Sequence, residues 1–353
     1  MTNWGYKAVR KVLQTFGGAE LAQQQSGRIT GEPGNPEVAT LARRTGAESG
    51  VLLKNNNHAL PLDLSAPVAL FGRVQKNYFY VGNGSGGDVS APYSINLVQG
   101  LVNAGVQLDS TVLAAYESWC TASVNDPDPG FWGHWPRYYA EMPVKQDWVQ
   151  AAANRCQTAV VVIGRSAGED RENTLKKGSF YLTNKEKALL NAVTAAFQKV
   201  VLVLNIGSIM DFAEIDAYGD KISAILLAWQ LGMESGNAVA DVLTGQVNPS
   251  GRLTDTIAKT YADYPAQNFG NKAENRYTED IFVGYRYFET FAPERVLYPF
   301  GYGLSYTDFA CQVKKTEIKD QTVTVQVQVE NTGALPGKQV VQLYACCPCG
   351  ALG

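Results

Sequence analysis

Short apolar runs alternate with amphipathic stretches between residues 68 and 257. The apolar runs are rich in β-branched residues, as is typical of strands buried on both faces, and the stretches between them have helical spacing. The pattern predicts strands at 68–71, 106–108, 159–163, 200–204, 222–227 and 252–257, and helices at 95–104, 111–120, 148–156, 185–197 and 237–243. This alternation predicts an α/β fold with an open, mostly parallel sheet that carries helices on both faces.

The two ends of the chain have different patterns. Residues 1–26 have helical spacing, the glycines and prolines of 27–36 predict a linker, and a new helix is predicted from Glu37 into the region of Leu52. Beyond Phe309, valines at alternate positions predict an antiparallel strand with one solvent-facing side, and another strand is predicted at 339–344. We therefore predict three units: an N-terminal helical extension and linker (1–36), an α/β sandwich (37–309) and a truncated β-sandwich segment (310–353).

Composition excludes several classes of protein. The chain has 353 residues, which suggests two domains at ~150 residues each. The net charge is −3 and no basic face stands out, so neither nucleic acid nor an anionic membrane surface is an expected partner. No apolar run approaches the ~18 residues of a membrane span, and residues 1–25 lack the apolar middle of a secretory signal. We therefore expect a cytoplasmic location.

The numbers of cysteine and histidine residues limit the chemistry further. Six cysteines are either scattered or crowded at the C-terminus without a second ligand cluster, so free thiols are expected rather than a zinc site. Only two histidines are present, which makes a histidine-centred triad improbable.

A charged loop follows the predicted strand at 159–163. It carries two arginines and three carboxylates within eight residues: Arg165, Glu169, Asp170, Arg171 and Glu172. In an open parallel sheet, ligands bind at the carboxyl ends of the strands, so this loop is a candidate site. A solvated charged loop would have the same composition, and both interpretations stay open.

Three other loops are expected to converge with this one, because parallel strands end on the same side of a sheet. They are residues 82–87, 205–208 and 229–230. The first satisfies the spacing G-x-G-x-x-G, with Asp109 roughly where an acid would bind a ribose, but Pro92 and the lack of a following helical pattern argue against a dinucleotide site. It is either a tight turn or a backbone-rich loop whose Ser85 hydroxyl meets a polar ligand.

The segment 131–139 is rich in aromatic residues, among them Trp132 and Trp135. Flat rings suit the apolar faces of sugars, but a loop that packs its rings on the domain surface has the same composition. Glu169 is the sharpest candidate for chemistry, because glycoside hydrolysis needs one carboxyl group as proton donor and another as nucleophile or base. Asp170 would raise the pKa of Glu169 and Arg165 and Arg171 would lower it, so the net direction stays open.

Taken in order, several motifs resemble the family-three glycoside hydrolases, which include β-glucosidases and β-xylosidases. The matching segments begin near Glu37 and run to the C-terminal part of the chain: 50–55 with 60–62, 84–86, 168–171, 204–208, 240–253, 282–288 and 299–306. Residues 71–75 followed by 82–87 are similar to members of the family in which the catalytic barrel comes last.

The resemblance implies that the chain contains the second, α/β-sandwich domain of this family and the start of its fibronectin-III-like domain. Glu169 would then be the general acid/base. The nucleophilic aspartate would lie on a (β/α)₈ barrel, either fused downstream or on another chain. The family often has Gly-Glu-Gly-x-Asp-Arg, whereas Asp170 follows Glu169 directly here, so Asp170 and Glu172 remain alternative proton donors.

The predicted function is that of a β-glucosidase-type retaining hydrolase acting on a β-glycoside or oligosaccharide, almost inactive without its barrel. No metal and no organic cofactor are implied. The candidate site residues are Glu169 as the catalytic group and, for substrate binding, Ser85, Gly84, Arg171, Trp132 and Trp135. The alternative is a non-catalytic α/β module that binds a sugar or a nucleotide.

Overall fold

A computed structural model describes residues 35–345 apart from 86, 88–90, 128–129, 131–133, 170–172, 269–270 and 272. Its centre is a five-stranded sheet of β1 (Val51–Asn55), β2 (Val68–Phe71), β3 (Thr158–Arg165), β4 (Lys199–Ile206) and β5 (Ala224–Leu227), in the order β1-β5-β4-β3-β2. The strands β2 to β5 are mutually parallel, and β1 pairs antiparallel with β5 at one edge. The predicted mostly parallel sheet is confirmed.

Helices cover both faces of this sheet. They are α1 (Pro36–Ser49), α2 (Leu97–Asn103), α3 (Ser110–Thr121), α4 (Gln146–Ala153), α5 (Asn184–Ala196), α6 (Ala213–Asp216) and α7 (Ser235–Leu243). A further helix, α8 (Tyr285–Phe291), packs its Phe288 in a separate small cluster with Ala258 and Ala292. One buried cluster joins the sheet to α3, α4 and α5, and a second joins it to α1, α2 and α7. Apolar side chains on both faces of the sheet are therefore buried, which is why the strands have continuous apolar runs.

The prediction for the segment around Leu52 is wrong. The helix α1 ends at Ser49, and Val51 to Asn55 form the edge strand β1. The apolar Val38 and Leu41 of this helix are 53% and 63% exposed. The buried residues of α1 are the small Ala39, Gly46 and Ala47, because its inner face packs closely on α7.

Two other predicted strands do not join the central sheet. Residues 106–108 contribute a single bridge, between Val68 and Leu108. Of residues 252–257, only the end becomes a strand, β6 (Ile257–Ala258), which pairs with β7 (Val296–Tyr298) in a separate small sheet.

The C-terminal part of the described chain is a long antiparallel hairpin of β8 (Phe309–Lys319) and β9 (Thr322–Asn331). The predicted strand around Val323–Val329 is therefore confirmed, but residues 339–344 form no strand. The valines of β9 are not buried on one face, since Val323 is 60% and Val329 is 44% exposed. Alternation alone could not show this, because a strand gains a buried face only when a second layer packs on it.

Three findings bear on the remaining expectations. Cys120, Cys156 and Cys311 are free thiols, and Cys346, Cys347 and Cys349 lie outside the described residues. In the part of the chain that the structure describes, no helix is both long enough and apolar enough to cross a lipid bilayer. The predicted helix at 1–26 and nearly all of the linker at 27–36 lie outside the described residues.

A buried glutamate stands beside the turn that follows β2. Glu141 is 4% exposed and accepts hydrogen bonds from the backbone N–H groups of Arg73 and Met142, at 2.8 Å each, and from the hydroxyl of Tyr116 at 3.1 Å. Burial raises the pKa of Glu141 to about 7 and outweighs these hydrogen bonds, which act in the opposite direction.

The raised pKa predicts a pH-dependent stability. Between the ordinary value of 4.5 and about 7, the folded chain holds a proton on Glu141 that the unfolded chain has lost. Folded protein then binds more protons than unfolded protein, so the free energy of unfolding falls as pH rises through this window, by on the order of 3 kcal/mol. Urea unfolding at pH 4.5 and at pH 8 measures this fall in the parent chain. In Glu141→Gln the free energy of unfolding should no longer fall by this amount between the two pH values.

The matched control is Glu117→Gln, a change at an exposed carboxylate of α3. Its pH difference should equal that of the parent chain. The amide introduced by Glu141→Gln cannot accept all three hydrogen bonds, so this variant should be less stable at both pH values, but the loss cancels in the difference. A parent-like pH difference in Glu141→Gln would contradict the prediction.

Candidate active site

Two loops meet at the carboxyl end of β3. Asn83 and Gly168 form an isolated parallel bridge. The N–H of Asn83 donates to the carbonyl of Ala167 at 2.8 Å, and the N–H of Glu169 donates back to the carbonyl of Asn83 at 3.2 Å. The expected convergence of these two loops is confirmed, and Glu169 is the residue that leaves the junction toward solvent.

Glycine is needed on both sides of this junction. Gly84 and Gly168 have φ angles of +104° and +149°, which disfavour residues with a side chain. A Cβ atom at Gly84 would collide with the Cβ of Glu169, and one at Gly168 would collide with the backbone of Asn83. The close approach of the two loops therefore depends on the residue type at these positions, and it places Gly84 directly against Glu169.

The carboxylate of Glu169 is exposed and has a defined partner. Its Oε2 accepts the backbone N–H of Ser85 at 2.7 Å and also the hydroxyl of Ser85. These bonds stabilise the ionised form, so the side-chain bond first and the backbone bond second hold the pKa of Glu169 below its usual value. The direction of the shift, which the sequence left open, is downward.

Arg165 does not tune Glu169, contrary to the expectation from the charged loop. It is 1% exposed, and its guanidinium forms a two-point ion pair with Glu186 of α5 at 2.7 and 2.8 Å. The same guanidinium donates to three backbone carbonyls, those of Gly164, Ser179 and Tyr181. The buried side chain of Arg165 therefore anchors the segment between β3 and α5, and this segment carries Glu169.

The other two loops also reach this place. Asn205 at the end of β4 is fully buried, and its amide donates to the carbonyls of Phe79 and Trp229 at 2.9 and 2.7 Å while accepting the N–H of Phe79 at 2.8 Å. Gln230 donates to the carbonyl of Arg165 at 3.3 Å. All four predicted loops thus converge, and Asn205 links the segment before residues 82–87 to the loop after β5 through its bonds with Phe79 and Trp229.

Trp229 has a strained backbone just after β5. Its φ of +45° is uncommon for a residue with a bulky side chain, and such strain persists only where the surroundings fix it. The bond from Asn205 to its carbonyl is one such constraint. The sequence predicted that the loops carrying Asn205 and Trp229 reach the site, but not the bond between these two residues. An asparagine at the end of an otherwise apolar strand was the visible signal.

Of the two tryptophans and the three charged residues at 170–172, only Trp135 lies within the described residues. Trp135 is 3% exposed, so its ring faces are covered and it cannot serve as a sugar platform in this structure. This is a correction to the sequence-based expectation. Trp132, Arg171, Asp170 and Glu172 lie outside the described residues.

The structure gives Asp109 a role in the fold and not in a nucleotide site. Its carboxylate accepts the N–H of Val112 at the start of α3 and forms a two-point pair with Arg155 at 2.6 and 3.0 Å. Both oxygens are therefore engaged. Among the described side chains, no three His, Cys, Asp or Glu residues lie close enough together to hold a metal ion.

This geometry can be compared with known proteins. Residues 50–306 match the family model described as the glycosyl hydrolase family 3 C-terminal domain. The chain belongs to glycosyl hydrolase family 3. The match includes the junction of Asn83 with Gly168 and all four converging loops, so the family domain and the candidate site coincide.

Relatives and solved structures agree with this assignment. A β-glucosidase of Ruminococcus albus is 44% identical over 320 residues, covering 90% of this chain and 33% of the relative, and β-glucosidase A of Butyrivibrio fibrisolvens is 37% identical over 356 residues, covering 89% and 42%. A β-glucosidase structure from Paenibacillus barengoltzii superposes with a TM-score of 0.81 at 42% identity, covering 85% of this chain and 33% of that one. The family 3 chain therefore spans between a third and a half of the length of these proteins.

Proposed function

We propose that this chain supplies the proton-donating half of a retaining β-glucosidase, with Glu169 as the general acid/base. The observation that carries the proposal is the exposed carboxylate of Glu169, held at the place where four loops of a family 3 domain converge. Retaining hydrolysis needs one such carboxyl group to protonate the leaving oxygen and a second, about 5–5.5 Å away, to act as nucleophile. The second group would come from a (β/α)₈ barrel, fused downstream or on another chain.

In the first step, Glu169 gives its proton to the glycosidic oxygen as the bond to the sugar breaks and the nucleophilic carboxylate takes the sugar. In the second step, Glu169 removes a proton from water, which displaces the carboxylate and releases the sugar. A proton donor must first be protonated, and the Ser85 bonds oppose this in the uncovered chain. Covering the site with a barrel would remove water from Glu169 and raise its pKa, so docking of the barrel would prepare the acid.

The proposal extends to the substrate side and to the domain arrangement. Gly84, which lies against Glu169, and Arg171 and Trp132, which lie outside the described residues, are the proposed sugar contacts. Residues 37–309 would form the α/β-sandwich domain, and residues 310–353 would begin a fibronectin-III-like domain. The start of β8 at Phe309 supports a boundary there.

The experiment is a chimera. The third of the Ruminococcus albus β-glucosidase that aligns with this chain is replaced by the chain, and hydrolysis of p-nitrophenyl β-glucoside is measured. We expect the chimera to hydrolyse this substrate and each part alone to be inactive. A soluble, folded chimera without activity, or a chain that is fully active alone, would contradict the proposal.

A further inference from the structure

The hydrogen bonds between Ser85 and Glu169 have an asymmetry that matters for proton transfer. Both the N–H and the hydroxyl of Ser85 donate to the same oxygen of the carboxylate, Oε2. Oε1 is therefore the oxygen that neither bond from Ser85 occupies. Hydrogen bonds to an ionised acceptor are short and strong, so two of them hold Oε2 in place beside Ser85.

The donor itself is held in place. The residue before Ser85, Gly84, has the left-handed φ of +104° and packs against Glu169, and Asn83 is bridged to Gly168. The backbone N–H of Ser85 is consequently fixed relative to the backbone from which Glu169 projects. The two loops therefore meet directly beside the carboxylate.

We propose that Ser85 is a positioning residue that orients Glu169 by binding Oε2, so that Oε1 is the atom that exchanges the proton with the leaving oxygen and with water. This inference rests on the proposed function for its catalytic meaning. It gives Ser85 a different primary task from the sugar contact that the resemblance implied. The lowered pKa of Glu169, caused first by the hydroxyl of Ser85, is the effect expected of these two hydrogen bonds.

The first test uses the chain alone. With ¹³C-labelled glutamate, the carboxyl signal of Glu169 is identified by its loss in Glu169→Gln, and its protonation midpoint is followed by NMR. We expect the midpoint to rise in Ser85→Ala and to stay near the parent value in Ser85→Thr, which keeps both donors. An unchanged midpoint in Ser85→Ala would overturn the inference.

The chain offers a matched control. Ser65 makes the same pair of bonds, from N–H and hydroxyl, to Asp63 in an exposed turn. Ser65→Ala should leave the Glu169 midpoint unchanged, and a shift of equal size in this variant would overturn the inference by showing that the effect is not local.

The second test separates positioning from sugar binding in the chimera. Loss of a hydrogen bond to a charged group predicts that Ser85→Ala lowers kcat roughly tenfold at little-changed KM, and that Ser85→Thr restores it. A rise in KM at unchanged kcat would overturn the inference and assign Ser85 to the sugar. Because the titration is read on the chain alone, it decides whether Ser85 holds the Glu169 carboxylate even if the chimera shows no hydrolysis, an outcome that counts against the proposed function instead.

Discussion

Glu169→Gln should lower kcat of the chimera on cellobiose by about three orders of magnitude, within the range that general acid–base catalysis contributes. Glutamine keeps the size of the side chain and can accept the bonds from Ser85, but it has no proton to give to the leaving oxygen. The loss should be much smaller with 2,4-dinitrophenyl β-glucoside, because this leaving group departs without protonation. Steady-state kinetics on the two substrates measures the difference.

Further variants make this prediction specific to Glu169. In Glu169→Ala, added azide should restore turnover of the activated substrate, because azide attacks the glycosyl intermediate without needing a general base. Asp170→Asn and Glu172→Gln test the two alternative proton donors, and Glu117→Gln is the control at an exposed carboxylate. Full activity of Glu169→Gln on cellobiose would contradict the assignment, and a large loss in only one of the two alternatives would transfer it there.

The central sheet was predictable because its strands have an unambiguous pattern. β3 and β4 have unbroken apolar runs, and their parallel pairing then requires their following loops to meet at one edge. β1 was not predictable in the same way. Its apolar part is only Val51 to Leu53, too short to show a period, and its place at the edge depends on pairing with the distant β5.

The convergence of the loops was predictable, but the partners of the side chains in them were not. Position in the sequence singled out Glu169 as the candidate proton donor, since it follows a buried strand and lies in a recognisable motif. The role of Arg165 could not be inferred from the same segment, because charged residues that are close in sequence can place their side chains on opposite sides of the chain. The covering of Trp135 also depends on residues far away in sequence, and aromatic content alone is the same for a buried ring and an exposed one.

The buried pair of Arg165 and Glu186 should dominate the stability of the site. Arg165→Met should lower the free energy of unfolding by about 3–5 kcal/mol, because Glu186 is then left buried without its countercharge and three backbone carbonyls lose their donor. The matched control is Arg155→Met, which breaks the pair with Asp109. The side chain of Arg155 is 41% exposed, so solvent screens this pair and the loss should be smaller. Urea unfolding at constant pH measures both changes.

The double variant shows why the single change is so costly. Arg165→Met with Glu186→Gln removes the uncompensated charge and retains an amide oxygen that can accept the N–H of Thr183 at the start of α5. It should therefore be more stable than Arg165→Met alone, although two groups have been changed instead of one. If the double variant lost as much as the two single variants together, the stabilisation would come from independent contacts and not from the ion pair. In that case the anchoring of the Glu169 segment by Arg165 would have to be attributed to its bonds with the carbonyls alone.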